Sequence, residues 1–147
     1  MNVNEYMERD FDLLKKRIDD VRKAYEQQDP SRTMSQTTEM FDAFHRRFVL
    51  EDFLLGKVKH QTASMKPAIE KFFIQRRRIQ DILEEMLMLH VSEPDFMRVL
   101  RRAGSAAGEY LRFLANEFYP QFIDQISEDD RNNMSHALED RFHRLAL

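Results

Sequence analysis

The stretch FDAFHRRFVLEDFLLGKV, residues 41–58, decides the fold of this chain. Steps of three and four residues along it place side chains on one stripe of a helix, at the spacing of a coiled-coil seam. The stripe consists of Phe41, Phe44, Phe48, Glu51, Leu55 and Val58. The pattern therefore predicts that the Glu51 side chain points toward the protein interior. Because desolvating a lone charge costs several kcal/mol or more, we expect its carboxylate to be paired, protonated or bound to a metal.

The composition is typical of one helical globular domain. The 147 residues include only 3 Gly and 4 Pro, whereas 33% are charged and 42% are hydrophobic. This combination favours a folded helical chain over a disordered one. The length is sufficient for a single domain with a core, which we predict over residues 1–147.

Several functional classes find no support in the residues. The chain has no Cys, which excludes disulfides, thiolate metal sites and a Cys nucleophile. No Gly-rich phosphate loop and no Gly-x-Ser-x-Gly motif occur, so we predict a protein that is not an enzyme and has no cofactor. The net charge of −3 and the acids interspersed among the arginines argue against a nucleic-acid partner.

The expected location is the cytoplasm. No apolar run approaches the roughly 18 residues of a membrane span. Residues 1–12 carry mixed charge and lack the apolar core of a signal peptide. A negative net charge also gives no attraction to an anionic membrane surface. We therefore predict a cytoplasmic protein without a membrane partner.

Helical periodicity predicts four long helices with short connections. They cover residues 3–28, 34–60, 67–90 and 95–119, and prolines punctuate them at Pro30, Pro67, Pro94 and Pro120. Pro120 is expected to kink or end the fourth helix near residue 119. Ser127 caps a less apolar last helix over residues 128–145. The predicted fold is all-α: an up-down-up-down four-helix bundle, residues 3–125, with a short extra C-terminal helix, 128–145.

Polar side chains from three helices fall on predicted inward positions. Glu51, Arg76 and Tyr110 belong to the second, third and fourth helices, and Arg47 precedes Glu51 by one turn. We predict an interior cluster in which Arg76, with or without Arg47, binds the ionised Glu51 carboxylate. Tyr110 donates its hydroxyl to the same group. The alternative turns Glu51 and Arg76 to the rim and forms the stripe from Phe48, Phe53, Leu54 and Leu55.

The far end of the fourth helix carries more apolar side chains than one seam needs. They are Phe113, Phe118, Phe122 and Ile123. We expect part of this set to pack on the last helix or on a partner, which is another protein or a second copy of the chain.

Three segments resemble the hemerythrin-like (HHE cation-binding) four-helix bundles. They are RFVLEDFLL (47–55), RRRIQDIL (76–83) and YLRFLANEFYPQFIDQISEDDR (110–131). In that family the fourth helix commonly runs on into Phe-Pro or Tyr-Pro and a short capped tail, which Tyr119-Pro120 and residues 126–128 match. The resemblance extends from Asp10-Phe11 to about Arg131. It implies the four-helix fold for nearly the whole chain.

The same resemblance implies that the family's di-iron site has been lost. The family's second and fourth helices carry a His followed four residues later by an acid. Here the positions of family ligands hold Phe11, Arg47, Arg76, Tyr110 and Leu114, and Glu51 is retained. One oxygen ligand does not hold iron, and an arginine in the pocket repels a cation. A guanidinium would then occupy the space and charge of the metal.

A shorter segment, Arg47–Asp52 (RFVLED), is similar to a segment of bacterial anti-sigma regulators of the Rsd/AlgQ type, which are also four-helix bundles.

We predict a non-catalytic bacterial regulatory or interaction protein that binds another protein or itself. Two alternatives stay open. One is a metal-binding hemerythrin-like protein that senses or carries O2, NO or iron through non-standard ligands around Glu51. The other is an anti-sigma-type transcription regulator.

Overall fold

The structure, a computed structural model, describes residues 3–56 and 63–145. These residues form six α-helices: α1 (Val3–Glu26), α2 (Pro30–Gly56), α3 (Lys66–Leu87), α4 (Pro94–Phe113), α5 (Tyr119–Gln125) and α6 (Glu128–Leu145). A 3-10 turn (Ala63–Met65) precedes α3, and a π-helical segment (Leu114–Phe118) joins α4 to α5. The described residues contain no β-strand, which confirms the all-α class. None of their helices has the length and apolarity that crossing a membrane requires.

The connection between α1 and α2 forms at Asp29-Pro30, as the sequence predicts. The Asp29 carboxylate accepts the backbone N–H of Arg32 at 3.1 Å, so it caps a helix that has Pro30 in its first turn. α2 therefore begins four residues earlier than the predicted start at residue 34. The predicted end of this helix, residues 57–60, lies outside the described residues.

The run from Pro94 to Gln125 is continuous and absorbs Pro120 without ending. A proline inside a helix lacks the N–H donor and clashes with the carbonyl four residues earlier. Here the backbone widens just before it, and the N–H of Tyr119 bonds the carbonyl of Leu114 five residues back. The expected disturbance near residue 119 takes the form of a π segment, and the helix ends only at Gln125.

The helices pack in pairs around one apolar core. α1 packs against α2, α3 packs against α4, and α1 also contacts α4 and α6. The stripe predicted in α2 faces this core: Phe44, Phe48 and Glu51 are buried, and Phe41 and Leu55 are half-buried. Val58 lies outside the described residues. The alternative that turns Glu51 to the rim is therefore wrong.

The apolar set at the far end of the fourth helix is used inside the chain. Phe113, Phe118 and Phe122 are buried and Ile123 is half-buried. Phe118 stacks between Phe72 of α3, at 4.9 Å between ring centroids, and Phe122, at 5.2 Å. These ring contacts lie along the continuous helix and α3, and the expectation that part of the set meets the last helix or a partner stays a prediction.

Candidate functional site

Glu51 is the centre of the candidate site. Its position on the inward stripe of α2 leaves the residue only 1% exposed. The hydroxyl of Tyr110, which α4 brings to the same depth, donates to Oε1 at 2.6 Å and also contacts Oε2. Both oxygens of the carboxylate therefore face one buried hydroxyl, and the charged form depends on groups supplied by the protein.

Arg47 is the buried cation of the site. It precedes Glu51 by one helical turn, and its Nε lies 3.7 Å from Glu51 Oε2. Its Nη1 donates to Asp10 Oδ2 at 2.5 Å, which ties α2 to α1. Because one guanidinium lies between two carboxyl groups of different helices, it reduces the repulsion that these groups would otherwise exert on each other.

Asp10 is a member of the cluster that the sequence analysis did not identify. Its side chain is only 17% exposed in its ion pair with Arg47. A signal was available: steps of four, four and three residues connect Asp10 with Leu14, Ile18 and Val21, which lie on the inner face of α1. The family resemblance places a ligand position at the next residue, Phe11.

Tyr119 is a second member that sequence reasoning missed. It is buried at the start of α5, directly after the π segment. A cleft of about 400 Å³ between α1 and the α4–α5 run reaches Arg47 beside this ring. The cleft is lined by Glu8, Phe11, Asp12, Arg47, Leu111, Leu114, Ala115 and Tyr119. Phe11 and Leu114, where the family carries ligands, therefore face this cleft with apolar side chains.

Burial controls the protonation of the cluster. It raises the pKa of Glu51 from 4.5 to about 7, and Arg47, the hydrogen bond from Tyr110 and the charge of Arg76 only partly oppose this shift. Burial and the neighbouring Glu51 carboxylate also raise the pKa of Tyr110. Burial by itself would lower the pKa of Arg47, but Glu51, Tyr119, Asp10 and Tyr110 together outweigh that effect and the pKa is raised. The site therefore holds a charged guanidinium beside a carboxyl group that exchanges its proton near neutral pH.

Arg76 does not form the predicted bond to Glu51. Its Nη1 lies 2.8 Å from Asp52 Oδ1, and the Asp52 side chain is 58% exposed. The guanidinium lies 5.2–5.6 Å from three ring centroids, those of Phe48, Phe72 and Phe73. Successive helical residues point about 100° apart, so a side chain that meets Asp52 approaches a different side of α2 from Glu51. Arg76 is buried, with only 9% of the residue exposed. The prediction was wrong in the partner, because Asp52 and the aromatic rings bind its guanidinium.

The donor set around Glu51 is poor in metal ligands. In the part of the chain that the structure describes, no three His, Cys, Asp or Glu side chains come together closely enough to hold a metal ion. The groups closest to Glu51 are a guanidinium and a phenol, neither of which is a ligand that divalent metals favour at neutral pH. Comparison of the chain with protein-family models, curated proteins and solved structures finds no match.

Proposed function

We infer that the protein is a non-catalytic interaction protein, built as a hemerythrin-like four-helix bundle in which an ion-pair cluster replaces the di-iron site. In this proposal the helices alternate in direction, α6 is the extra C-terminal helix, and the chain is a cytoplasmic bacterial regulator that binds a protein or itself. The observation that carries the proposal is the engagement of Glu51 by Tyr110 and Arg47 from two helices. The packing of α1 on α2 and of α3 on α4 supports the arrangement.

The charge of Arg47 is the physical reason why this cluster disfavours iron. A divalent cation bound to Glu51 would lie within a few ångströms of the guanidinium, whose Nε is 3.7 Å from Oε2. Two positive charges at such a distance repel each other by about 4 kcal/mol per pair of unit charges at an effective dielectric constant of about 20. The Glu51 carboxylate does not offset this repulsion, since its nearest neighbours are the Tyr110 hydroxyl and the Arg47 guanidinium, and the Asp10 carboxylate is already bound to Arg47.

Metal content tests the proposal. The full chain is incubated with Fe(II) and separately with Zn(II), desalted, and assayed by elemental analysis and by absorption spectroscopy in air. We expect well under about 0.1 metal ion per chain, because one carboxylate is a weak site. A stoichiometric metal, with or without an oxo-bridge absorption band, would contradict the proposal and favour the metal-binding alternative.

A matched variant tests whether Arg47 is the reason why the cluster does not bind a metal ion. Arg47→His recreates a His four residues before Glu51, a spacing that places both side chains on one helix face. We expect a measurable gain in Zn(II) binding relative to the wild-type chain. The Arg46→His variant is the control, since Arg46 is exposed on the same helix. Equal Zn(II) binding by the two variants would show that Arg47 does not keep metal ions out of the cluster.

A further inference from the structure

The cleft between α1 and the α4–α5 run changes in character from its opening to its inner end. The exposed residues that line it are Glu8, Asp12 and Ala115, and Phe11 is half-buried. The other lining residues are buried: Arg47, Leu111, Leu114 and Tyr119. A molecule that enters the cleft therefore passes two carboxylates before it meets apolar side chains, a guanidinium and a phenol.

Arg47 is the residue of this inner end that points to a ligand. It is only 3% exposed, and within the described residues its guanidinium forms one hydrogen bond, from Nη1 to Asp10. Its Nε is buried and has no hydrogen-bond acceptor, because Glu51 Oε2 is 3.7 Å away. A guanidinium carries several N–H donors. The described part of the chain therefore leaves donors of a buried cation unsatisfied, which is costly in free energy.

The cleft is a space from which a hydrogen-bond acceptor can reach Arg47, since this residue lines it. Its volume of about 400 Å³ is within the range of small-molecule pockets, which combine apolar walls with a few polar groups. Half of the lining residues are apolar: Phe11, Leu111, Leu114 and Ala115. Water finds no hydrogen-bond partners along such walls. A molecule with an apolar body and one acceptor would cover these walls and also bind the guanidinium.

The charges around the cleft indicate the charge of the ligand. Asp10 and Glu51 both form ion pairs with Arg47, so the guanidinium offers hydrogen-bond donors rather than an unpaired positive charge. Glu8 and Asp12 are exposed where the cleft opens. An anion would approach two carboxylates and find a cation that is already paired, which disfavours it. An uncharged carbonyl oxygen accepts from the guanidinium without this repulsion.

We propose that this cleft binds an uncharged small molecule with a largely apolar body and a carbonyl oxygen, and that the carbonyl accepts a hydrogen bond from Arg47. The site goes beyond the interaction role proposed above, because its ligand is neither a protein nor a second copy of the chain. Burial of the apolar body provides the affinity, and the guanidinium orients the polar end. Metal content is measured separately, so a chain that binds no such molecule would leave the account of the interior cluster unchanged.

Fluorescence titration of the full chain with Prodan, an uncharged naphthyl ketone whose emission changes when it leaves water, tests for the site. We expect saturable binding of one molecule per chain, with a dissociation constant of about 200 µM or less. Ala115→Trp places a large ring in the opening and should weaken binding by about tenfold or more. Asn116→Trp is the matched control, since Asn116 is exposed beside Ala115 but is not among the residues that line the cleft. Absence of saturable binding, or equal affinities of the two variants, would overturn the proposal.

Displacement of Prodan by two related compounds tests the charge of the ligand. Acetylnaphthalene and naphthoate share the same ring system and both carry oxygen acceptors, but only naphthoate is an anion at neutral pH. The ketone should bind about tenfold or more tightly than the carboxylate, because the carboxylate is repelled by the acidic side chains around the cleft. Naphthoate that binds as tightly as the ketone would contradict the assignment of an uncharged ligand.

Nuclear magnetic resonance of the arginine side-chain N–H groups tests the donor in the wild-type chain. With the signals assigned through bonds, acetylnaphthalene should shift those of Arg47. The signals of Arg46, which is exposed on the same helix, should stay in place and are the internal control. Naphthalene has the same ring system without an acceptor, so it should shift the Arg47 signals less. Arg47 signals that do not move, or that move equally with both compounds, would show that Arg47 does not bind the carbonyl.

Discussion

Two arginine–carboxylate pairs, each joining α2 to a neighbouring helix, have similar distances and different surroundings. Arg47 meets Asp10 at 2.5 Å, with the two side chains 2% and 17% exposed. Arg76 meets Asp52 at 2.8 Å, but there the side chains are 11% and 58% exposed. Water reaches the second pair through the aspartate, whereas the first pair depends on the protein for its remaining hydrogen bonds. The inner pair is also coupled to Glu51, and the outer pair lies among aromatic rings.

The difference shows that distance alone does not determine the energetic effect of an ion pair. A pair at the surface contributes about 0–1 kcal/mol, because solvent screens it and the side chains lose entropy. A buried pair has little net effect when it is intact, but removing one partner leaves an uncompensated charge. Substitutions at the two sites should therefore differ by several kcal/mol although the bonds have nearly equal lengths.

The largest effect is expected for Arg47→Leu. It leaves two carboxyl groups, Asp10 and Glu51, without their shared cation, and we expect a loss of about 3–5 kcal/mol in the free energy of unfolding. Urea denaturation at neutral pH measures it. Arg46→Leu is the matched control, because Arg46 is exposed on the same helix and should change stability by less than about 0.5 kcal/mol. Equal losses for both variants would show that Arg47 contributes no more to stability than an exposed arginine of the same helix.

The raised pKa of Glu51 should be visible in how the free energy of unfolding depends on pH. Burial raises its pKa from 4.5 to about 7 in the folded chain, so the folded state binds the proton more tightly than the unfolded state does. Below pH 4.5 both states are protonated and the group causes no difference in stability. As the pH rises from 4.5 to about 7, the unfolded chain ionises first, and the free energy of unfolding falls.

The variant Glu51→Gln cannot titrate and therefore isolates this effect. Relative to this variant, the wild-type chain should lose about 3 kcal/mol between pH 4.5 and 7.5, from a shift of 4.5 to about 7. Urea denaturation across this range provides the comparison, and Glu84→Gln on the exposed face of α3 should follow the wild-type curve. A difference between wild type and Glu51→Gln that does not change with pH would show that Glu51 keeps an ordinary pKa.

Tyr110→Phe should have a smaller effect. It removes the hydroxyl that contacts both oxygens of Glu51 without changing the ring, and hydrogen bonds to charged groups contribute about 1.5–3 kcal/mol. We expect a loss of about 2 kcal/mol at pH 8 and a further rise in the pKa of Glu51. Tyr119→Phe is the matched control in the same cluster. The hydroxyl of Tyr110 would have no special role if both variants lost the same free energy.

Arg76→Leu should have the smallest effect of the series. Leucine keeps the contacts with the rings around Arg76, and the lost pair with the exposed Asp52 is worth about 0–1 kcal/mol. We expect a loss of about 1 kcal/mol, part of which comes from the cation–π contacts. Thermal unfolding at pH 7 is sufficient to measure it. A loss as large as that of Arg47→Leu would indicate that the outer pair is as well shielded from water as the inner pair.

The sequence predicted the type and position of the helices better than their ends. Periodicity placed Phe44, Phe48 and Glu51 inside, and the structure confirms it. The start of α2 and the π segment before Pro120 were not predicted, because a cap and a π segment depend on how local backbone groups compete for partners. The pairing of Arg47 with Asp10 and of Arg76 with Asp52 was also beyond the sequence, since periodicity fixes the face of a residue and not its neighbour on another helix.

The sequence by itself determined that the chain is all-α and that a carboxylate, an arginine and a tyrosine belong to its interior. These properties follow from the spacing of side chains along each helix, which is a local quantity. Only the tertiary structure decided that Asp10 shares Arg47 with Glu51 and that Arg76 binds Asp52. The reason is that the rotation and depth of neighbouring helices are set by how all their side chains pack together.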